Sequence, residues 1–277
     1  MSMNINTNSA SLAVQRTVAT SNRGMAQSVE RLSSGMRINH SSDDAAGLAV
    51  AEGLKAQTQG YKQGLSNANQ AVAMLQTADS AHQSISDTLV RMRELAVQSS
   101  SDTLTDTERG YVNTEFTKLA GEIDRISNVT EYNGQKLLDG TAGTGGTLTF
   151  QVGTRNSAND RVTIAMGDMD STALGVNASA VDTLANAQTA IDDIDSALDT
   201  LNTARATTGA TMNQLSKSID NLSSTVENLG VAEGNIRDAD IASESANFSR
   251  NQVLQQAGVS MLAQANASPQ FALRLIG

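Results

Sequence analysis

Apolar residues recur at helical spacing over most of the chain. Near the start, Val14, Val18, Met25, Val29, Leu32 and Met36 step by three, four and seven, a heptad seam. Gly35 and the polar run Asn39-His40-Ser41-Ser42 interrupt it. Ser42 or Asp43 is placed to cap a second helix, with Asp43 and Asp44 at its positive end. That helix passes through Val72, Leu75, Ile85, Leu89, Met92 and Ala96, and residues 99–106 break it. Val112, Phe116, Leu119, Ile123 and Ile126 then step by four and three, predicting a third helix.

From Glu131 the period changes. Tyr132-Asn133-Gly134 and Asp139-Gly140 are turn signals. Leu148, Phe150 and Val152 alternate with polar residues, and so do Val162, Ile164 and Met166. Alternation at period two predicts two strands joined through residues 153–161.

The last third returns to helical spacing. Leu184, Ala187, Ile191, Ile194, Leu198 and Leu201 share one register with Met212, Leu215, Ile219, Leu222, Val226, Leu229 and Ile236. Arg205, Thr208 and Glu233 are its polar exceptions, and Gly209, Gly230 and Gly234 are weak points. A helix over this span is about 80 Å long. It cannot bury its own seam, and each Leu or Ile left in water forfeits about 1.5–3 kcal/mol. The comparable seams lie before residue 130. The fold class that follows is mainly α: a long antiparallel helical bundle with a small β-hairpin region, at about 140–176, at its far tip.

Composition narrows the function. Net charge is -10 with a pI near 4.6, against the clustered basic surface of a nucleic-acid binder. Aromatics are 3%, Trp and Cys are absent and Pro269 is the single proline, which suits long thin helices. Without cysteine there is no disulfide and no Cys-ligated metal. No apolar run approaches the roughly 18 residues of a membrane span. The N-terminus does not read as a cleaved secretory signal, so if the protein leaves the cell a route without a cleaved signal of that type is expected.

Sites for chemistry are lacking. His40 and His82 are the only histidines, and neither belongs to an HExxH motif. No GxSxG, GxxxxGK[ST] or GxGxxG run occurs. Asp43-Asp44 and Asp192-Asp193 are sequence neighbours that point to different helix faces. No catalytic residue, cofactor or metal is expected. His82 reads as a packing residue.

The charge distribution points elsewhere. No side chain from Met1 to Gln15 is charged, and from Asn251 to Gly277 only Arg274 is. Both ends nevertheless carry a helical apolar stripe, the mark of a helix that expects a partner.

Several blocks carry a resemblance. They begin with Arg31-Leu32-Ser33-Ser34-Gly35-Met36-Arg37-Ile38-Asn39 and Asp43-Asp44-Ala45-Ala46-Gly47-Leu48-Ala49. Arg91-Met92-Arg93-Glu94-Leu95-Ala96-Val97-Gln98, Tyr132-Asn133-Gly134-Gln135-Lys136-Leu137-Leu138 and Phe150-Gln151-Val152-Gly153 follow. Ile236-Arg237-Asp238-Ala239-Asp240, Leu254-Gln255-Gln256-Ala257-Gly258 and Leu262-Ala263-Gln264-Ala265-Asn266 close the set. In this order they resemble bacterial flagellin across nearly the whole chain. Two segments depart from the family pattern: residues 205–212, and Ile241-Ala242-Ser243-Glu244-Ser245 in place of the usual Tyr-Ala-Thr-Glu-Val.

The resemblance implies a secreted, extracellular subunit that polymerises with itself into the flagellar filament for motility. It implies an inner layer from residues 1–41 and 239–277 and an outer layer from 42–238. The gap between Met166 and Leu184 is too short for the variable insert common in the family. Inner-layer assembly residues would be Val14, Val18, Met25, Val29, Leu32, Leu254, Ala257, Val259, Met261 and Leu262. The implied partners are the flagellar type III export apparatus, a flagellin chaperone, the filament cap and the hook-junction proteins. A host Toll-like receptor would meet Arg91, Leu95 and Glu115. Rival readings are a hook–filament junction protein and a cytoplasmic coiled-coil interaction protein.

Overall fold

The computed structural model describes residues 8–276, and their side chains as far as Ala267. Residues 1–7 of the uncharged N-terminal stretch, and the side chain of Arg274, lie outside the described part. Among the described residues five α-helices account for most of the chain: α1 (Ser9–Ser34), α2 (Ala45–Ser99), α3 (Asp106–Val129), α4 (Leu184–Arg237) and α5 (Ile241–Ile276). Four short strands, β1 (Glu131–Tyr132), β2 (Gln135–Lys136), β3 (Thr147–Gln151) and β4 (Arg161–Ala165), make two antiparallel pairs. The chain divides into two compact units, residues 1–56 with 228–277, and residues 57–227.

In the second unit, α2 and α4 run antiparallel. Arg93 pairs with Asp195 at 2.7 Å and Arg205 with Asp79 at 3.3 Å. Leu75, Ile85, Leu89 and Met92 of α2, Phe116 and Ile123 of α3, and Ile194, Leu201 and Leu215 of α4 are fully buried. The buried face of α4 is broader than the predicted stripe, because Ala190, Ala197 and Thr211 are buried beside it, and the polar exception Thr208 is itself buried. Thr208 tolerates this by donating its hydroxyl to the Ala204 carbonyl. Gly209, Gly230 and Gly234 do not interrupt α4.

The break between α2 and α3 falls where the polar run predicts it. Thr105 caps α3 through a capping box with Glu108, and Glu108 returns a bond to the Thr105 backbone. Arg109 closes the turn from inside. Its side chain is only 7% exposed, and it donates to the carbonyls of Ser99 and Ser101 while pairing with Asp106, each at 2.8 Å.

β3 and β4 pair as the alternation predicts, with Leu148 opposite Ile164 and Phe150 opposite Val162. β1 and β2 flank Asn133-Gly134, both with positive φ, a two-residue hairpin read from sequence only as a turn. Their position differs from the expected tip. Asn67 donates to the Gln151 carbonyl, and a Cβ on Gly64 would lie 2.2 Å from the Val152 carbonyl oxygen. The β-region therefore lies alongside α2, not beyond the helix ends. The cause is length: α3 has 24 residues and α2 has 55, so α3 cannot cover the whole apolar flank of its partner.

In the first unit, α1 and α5 pair side by side. The cap of α2 is Asp44, which accepts from the Gly47 N–H at 2.9 Å, one residue after Asp43 and two after Ser42, the predicted caps. Asp43 instead accepts from the N–H groups of Asn39 and His40, at 3.2 and 3.1 Å.

Candidate assembly interface

The α1–α5 pair has an unusual seam. Its buried residues on α1 are Ser11, Ser21 and Ser28. They occupy the same seven-residue frame as Val14, Val18, Met25 and Leu32, which are half-buried. Facing them on α5, Glu244 and Gly258 are buried and Phe248, Asn251, Gln255, Leu262 and Ala265 are half-buried. The two backbones approach closely at glycine. A Cβ on Gly258 would lie 2.5 Å from the Val18 side chain, and one on Gly24 would lie 2.8 Å from Asn251.

Polar contacts run the length of the pair. Asn8 donates its side-chain amide to the Ala265 carbonyl at 2.8 Å, and Ser11 hydrogen-bonds Asn266 at 2.9 Å. Ser28 donates to Glu244 Oε1 at 2.5 Å, and Arg31 Nη1 stands 3.5 Å from Glu244 Oε2. Large apolar side chains lie outside the seam. Val29, Leu254, Val259 and Met261 are 45–59% exposed, and Leu12, Ile241 and Val253 are 51–63% exposed. Leu12 lines a shallow hollow with Ser9, Gln15, Arg16 and Ala19.

The predicted assembly residues thus fall into two groups. Val14, Val18, Met25, Leu32 and Leu262 pack within the pair, whereas Val29, Leu254, Ala257, Val259 and Met261 face out. Sequence reasoning passed over Leu12, Ile241 and Val253, and it passed over the seam serines. The seven-residue recurrence of serine with Val and Met was the available signal, since small seam residues permit close helix approach.

Where α1 and α4 end, the two connectors are bonded to each other. Gly35 takes a left-handed φ of 72° and caps α1. Met36 bridges Asp238, the Ala239 N–H donates to the Gly35 carbonyl, and the Arg37 N–H donates to the Arg237 carbonyl. Arg237 pairs with Glu52 at 3.0 Å. Backbone N–H groups of His40 and then Asn39 hold the Asp43 carboxyl below its usual pKa.

On the second unit, Arg91 bonds Glu115 at 2.8 Å and Glu94 at 2.9 Å. The bond to Glu115, with help from Glu94, raises the guanidinium's pKa. Both Arg91 and Glu115 are exposed, but Leu95, expected to meet a receptor with them, is 2% exposed. It belongs to the core between helices of its own chain. His82 is buried, as a packing residue should be, with neither ring nitrogen bonded. Among the described residues no group of three or more His, Asp or Glu is placed to hold a metal. No helix among them is long and apolar enough to cross a membrane.

Comparison with known proteins agrees over almost the full length. Residues 5–143 match the bacterial flagellin N-terminal helical region, and residues 191–276 match the bacterial flagellin C-terminal helical region. The chain is 39% identical to a flagellin of Halalkalibacterium halodurans, covering 99% of this chain and 100% of that one. It is 38% identical to a flagellin of Listeria monocytogenes, covering 99% of each. Among solved structures, Bacillus cereus flagellin matches with a TM-score of 0.50 at 32% identity, over 57% of this chain and 88% of that one.

Proposed function

The chain belongs to the bacterial flagellin family, and we propose on that premise that it is the structural subunit of an extracellular flagellar filament for motility. One observation carries the reading. The α1–α5 pair buries serine and glycine most deeply in its seam, beside the half-buried Val14, Val18, Met25, Leu32 and Leu262, and leaves Leu12, Val29, Val253, Leu254, Val259 and Met261 on the outside. Each such side chain gains about 1.5–3 kcal/mol on full burial. Beyond Asn251 the described side chains of α5 carry no charge, so neighbouring copies can cover it without desolvating an ion. A wall of packed copies is the arrangement that uses this surface.

In this reading residues 1–41 and 239–277 form the inner layer and 42–238 the outer. The paired connectors around Met36 and Asp238 support a joint near these boundaries, although the two compact units divide at 56/57 and 227/228. Export by the type III apparatus, a chaperone on the C-terminal helix, and contacts with the cap and hook-junction proteins belong to the same proposal. Recognition by a host Toll-like receptor would use the exposed Arg91–Glu115 pair, with Leu95 supporting it from beneath.

Purified chain added to short filament seeds should elongate into long tubes visible by electron microscopy. V259E or M261E should abolish elongation while leaving the helicity of residues 57–227 unchanged. Normal tubes from either variant would remove the basis for this reading.

A further inference from the structure

Glu244 is the one acidic residue among the described residues that is buried, at 9% exposure. It lies in a seam where Leu or Ile would pack at no electrostatic cost. A buried carboxylate is costly in such a place and is tolerated only with close partners. Here Ser28 gives it a hydrogen bond at 2.5 Å and Arg31 a charge at 3.5 Å, both from the opposite helix. Arg31 Nε is itself buried without a partner, so the cluster is not the most stable filling of this space.

What the cluster supplies is direction. Val253, Leu254, Ala257 and Met261 recur at one, four and eight positions and form a single stripe beside the seam. Turning α5 about its axis by roughly one residue step, about 100°, brings that stripe onto α1. Beyond Asn251 the turned pair would set Leu254, Ala257 and Met261 against α1 in place of Gln255 and Gly258 and leave less apolar surface for any neighbour, while Arg250 on the same stripe would turn with them. Beyond Asn251 apolar contact therefore favours the turned pair, and polar contact toward the start of α5 opposes it. The turn would carry Glu244 away from both Ser28 and Arg31. Buried polar groups can select one helix arrangement in this way at a cost in stability.

We propose that Glu244, held by Ser28 and Arg31, is the positioning residue that fixes how α1 and α5 face each other. It thereby keeps Val253, Leu254, Ala257 and Met261 outside for neighbouring copies. The inference rests on the reading of the chain as a self-assembling subunit.

The chain has no cysteine, so introduced pairs report the facing directly. The contacts Val18–Gly258 and Gly24–Asn251 place Ser21 across from residues 254 and 255. Two full-length proteins, S21C/Q255C and S21C/L254C, are seeded, elongated and oxidised, in the parent background and with E244A or E244Q. The parent should cross-link through the 255 pair in preference to the 254 pair. E244A should shift the preference to the 254 pair and lower the elongation rate about tenfold. E244Q keeps an acceptor for Ser28 and should lie between them; it supplies the cross-link pattern should E244A not elongate. The double exchange R31E/E244R restores opposite charges and should restore the 255 preference. A role in stability alone would slow elongation and leave the preference untouched, and that result overturns the proposal. Failure of the parent itself to elongate would instead overturn the filament reading, whatever Glu244 does.

Discussion

Two single residues have consequences that can be measured directly. His82 is buried near Asp79 on its own helix and Arg205 on α4. Burial lowers its pKa from 6.5 to about 4, with Arg205 adding to the shift and Asp79 opposing it. The folded state thus keeps His82 neutral where the unfolded chain would already be protonated. Stability is intact above about pH 6.5, falls as pH drops toward 4, and is then about 3 kcal/mol lower from this residue. H82L should remove that slope. Chemical denaturation of parent and H82L at pH 7 and pH 4.5 tests it, and parallel losses in the two proteins would refute it. Arg109 acts differently, through two bonds that tie Ser99 and Ser101 to α3 and a third to Asp106 at the start of α3. R109A leaves two inward carbonyls without a donor and should destabilise the second unit by about 3 kcal/mol. Thermal unfolding followed by helix content gives the value. Sequence alone placed His82 in a seam but gave no sign of Arg109, which reads as one more surface cation three residues from Asp106.

At the scale of elements, the helices and the β3–β4 hairpin are legible because each period is long enough to be unambiguous. The capping box at Thr105 and the alternation around Phe150 and Val162 are local signals that tertiary packing reinforces. What is not legible depends on contacts distant in sequence. The two-residue strands β1 and β2 have no period to read. The serine positions of the α1–α5 seam were hidden because serine is read as a surface residue, although Ser11, Ser21 and Ser28 are the most buried positions of α1. The exposed apolar residues that carry the functional reading were half visible, as a stripe whose orientation the sequence does not determine. Glycines of α2 and α4 separate the two kinds of information. Gly64 meets the Val152 carbonyl, whereas a Cβ on Gly209 would meet nothing within 4 Å. G64A should therefore push β3 off α2 and lower stability by about 1–3 kcal/mol. G209A should raise it by up to about 1 kcal/mol through helix propensity. Equal effects of the two substitutions on the unfolding midpoint would contradict the close approach at Gly64.

For the whole molecule, two forces act oppositely on assembly, and their balance fixes how it depends on conditions. The chain carries a net charge of -10 at pH 7, so copies repel one another. Most of that charge lies away from the surface proposed to make contact, because α5 beyond Asn251 has no charged side chain among those described. Repulsion between copies therefore acts over distance through solvent, where salt screens it: the Debye length falls from about 30 Å at 0.01 M to about 8 Å at 0.15 M. The attraction comes from apolar side chains such as Leu12, Val253, Leu254 and Met261, and salt does not weaken it. Assembly held by ion pairs across subunits would respond in the opposite sense. The concentration of unassembled chain in equilibrium with polymer should then fall as salt rises from 0.01 to 0.15 M. It should rise on cooling, since apolar burial weakens at low temperature. M261E should raise it at every salt concentration, because the cost there is a desolvated carboxylate and not a distant repulsion. Sedimentation of polymer after seeding, with the supernatant assayed across salt and temperature, reads all three. A supernatant concentration that increases with salt would mean that ionic contacts, and not the apolar surface of α1 and α5, hold the copies together.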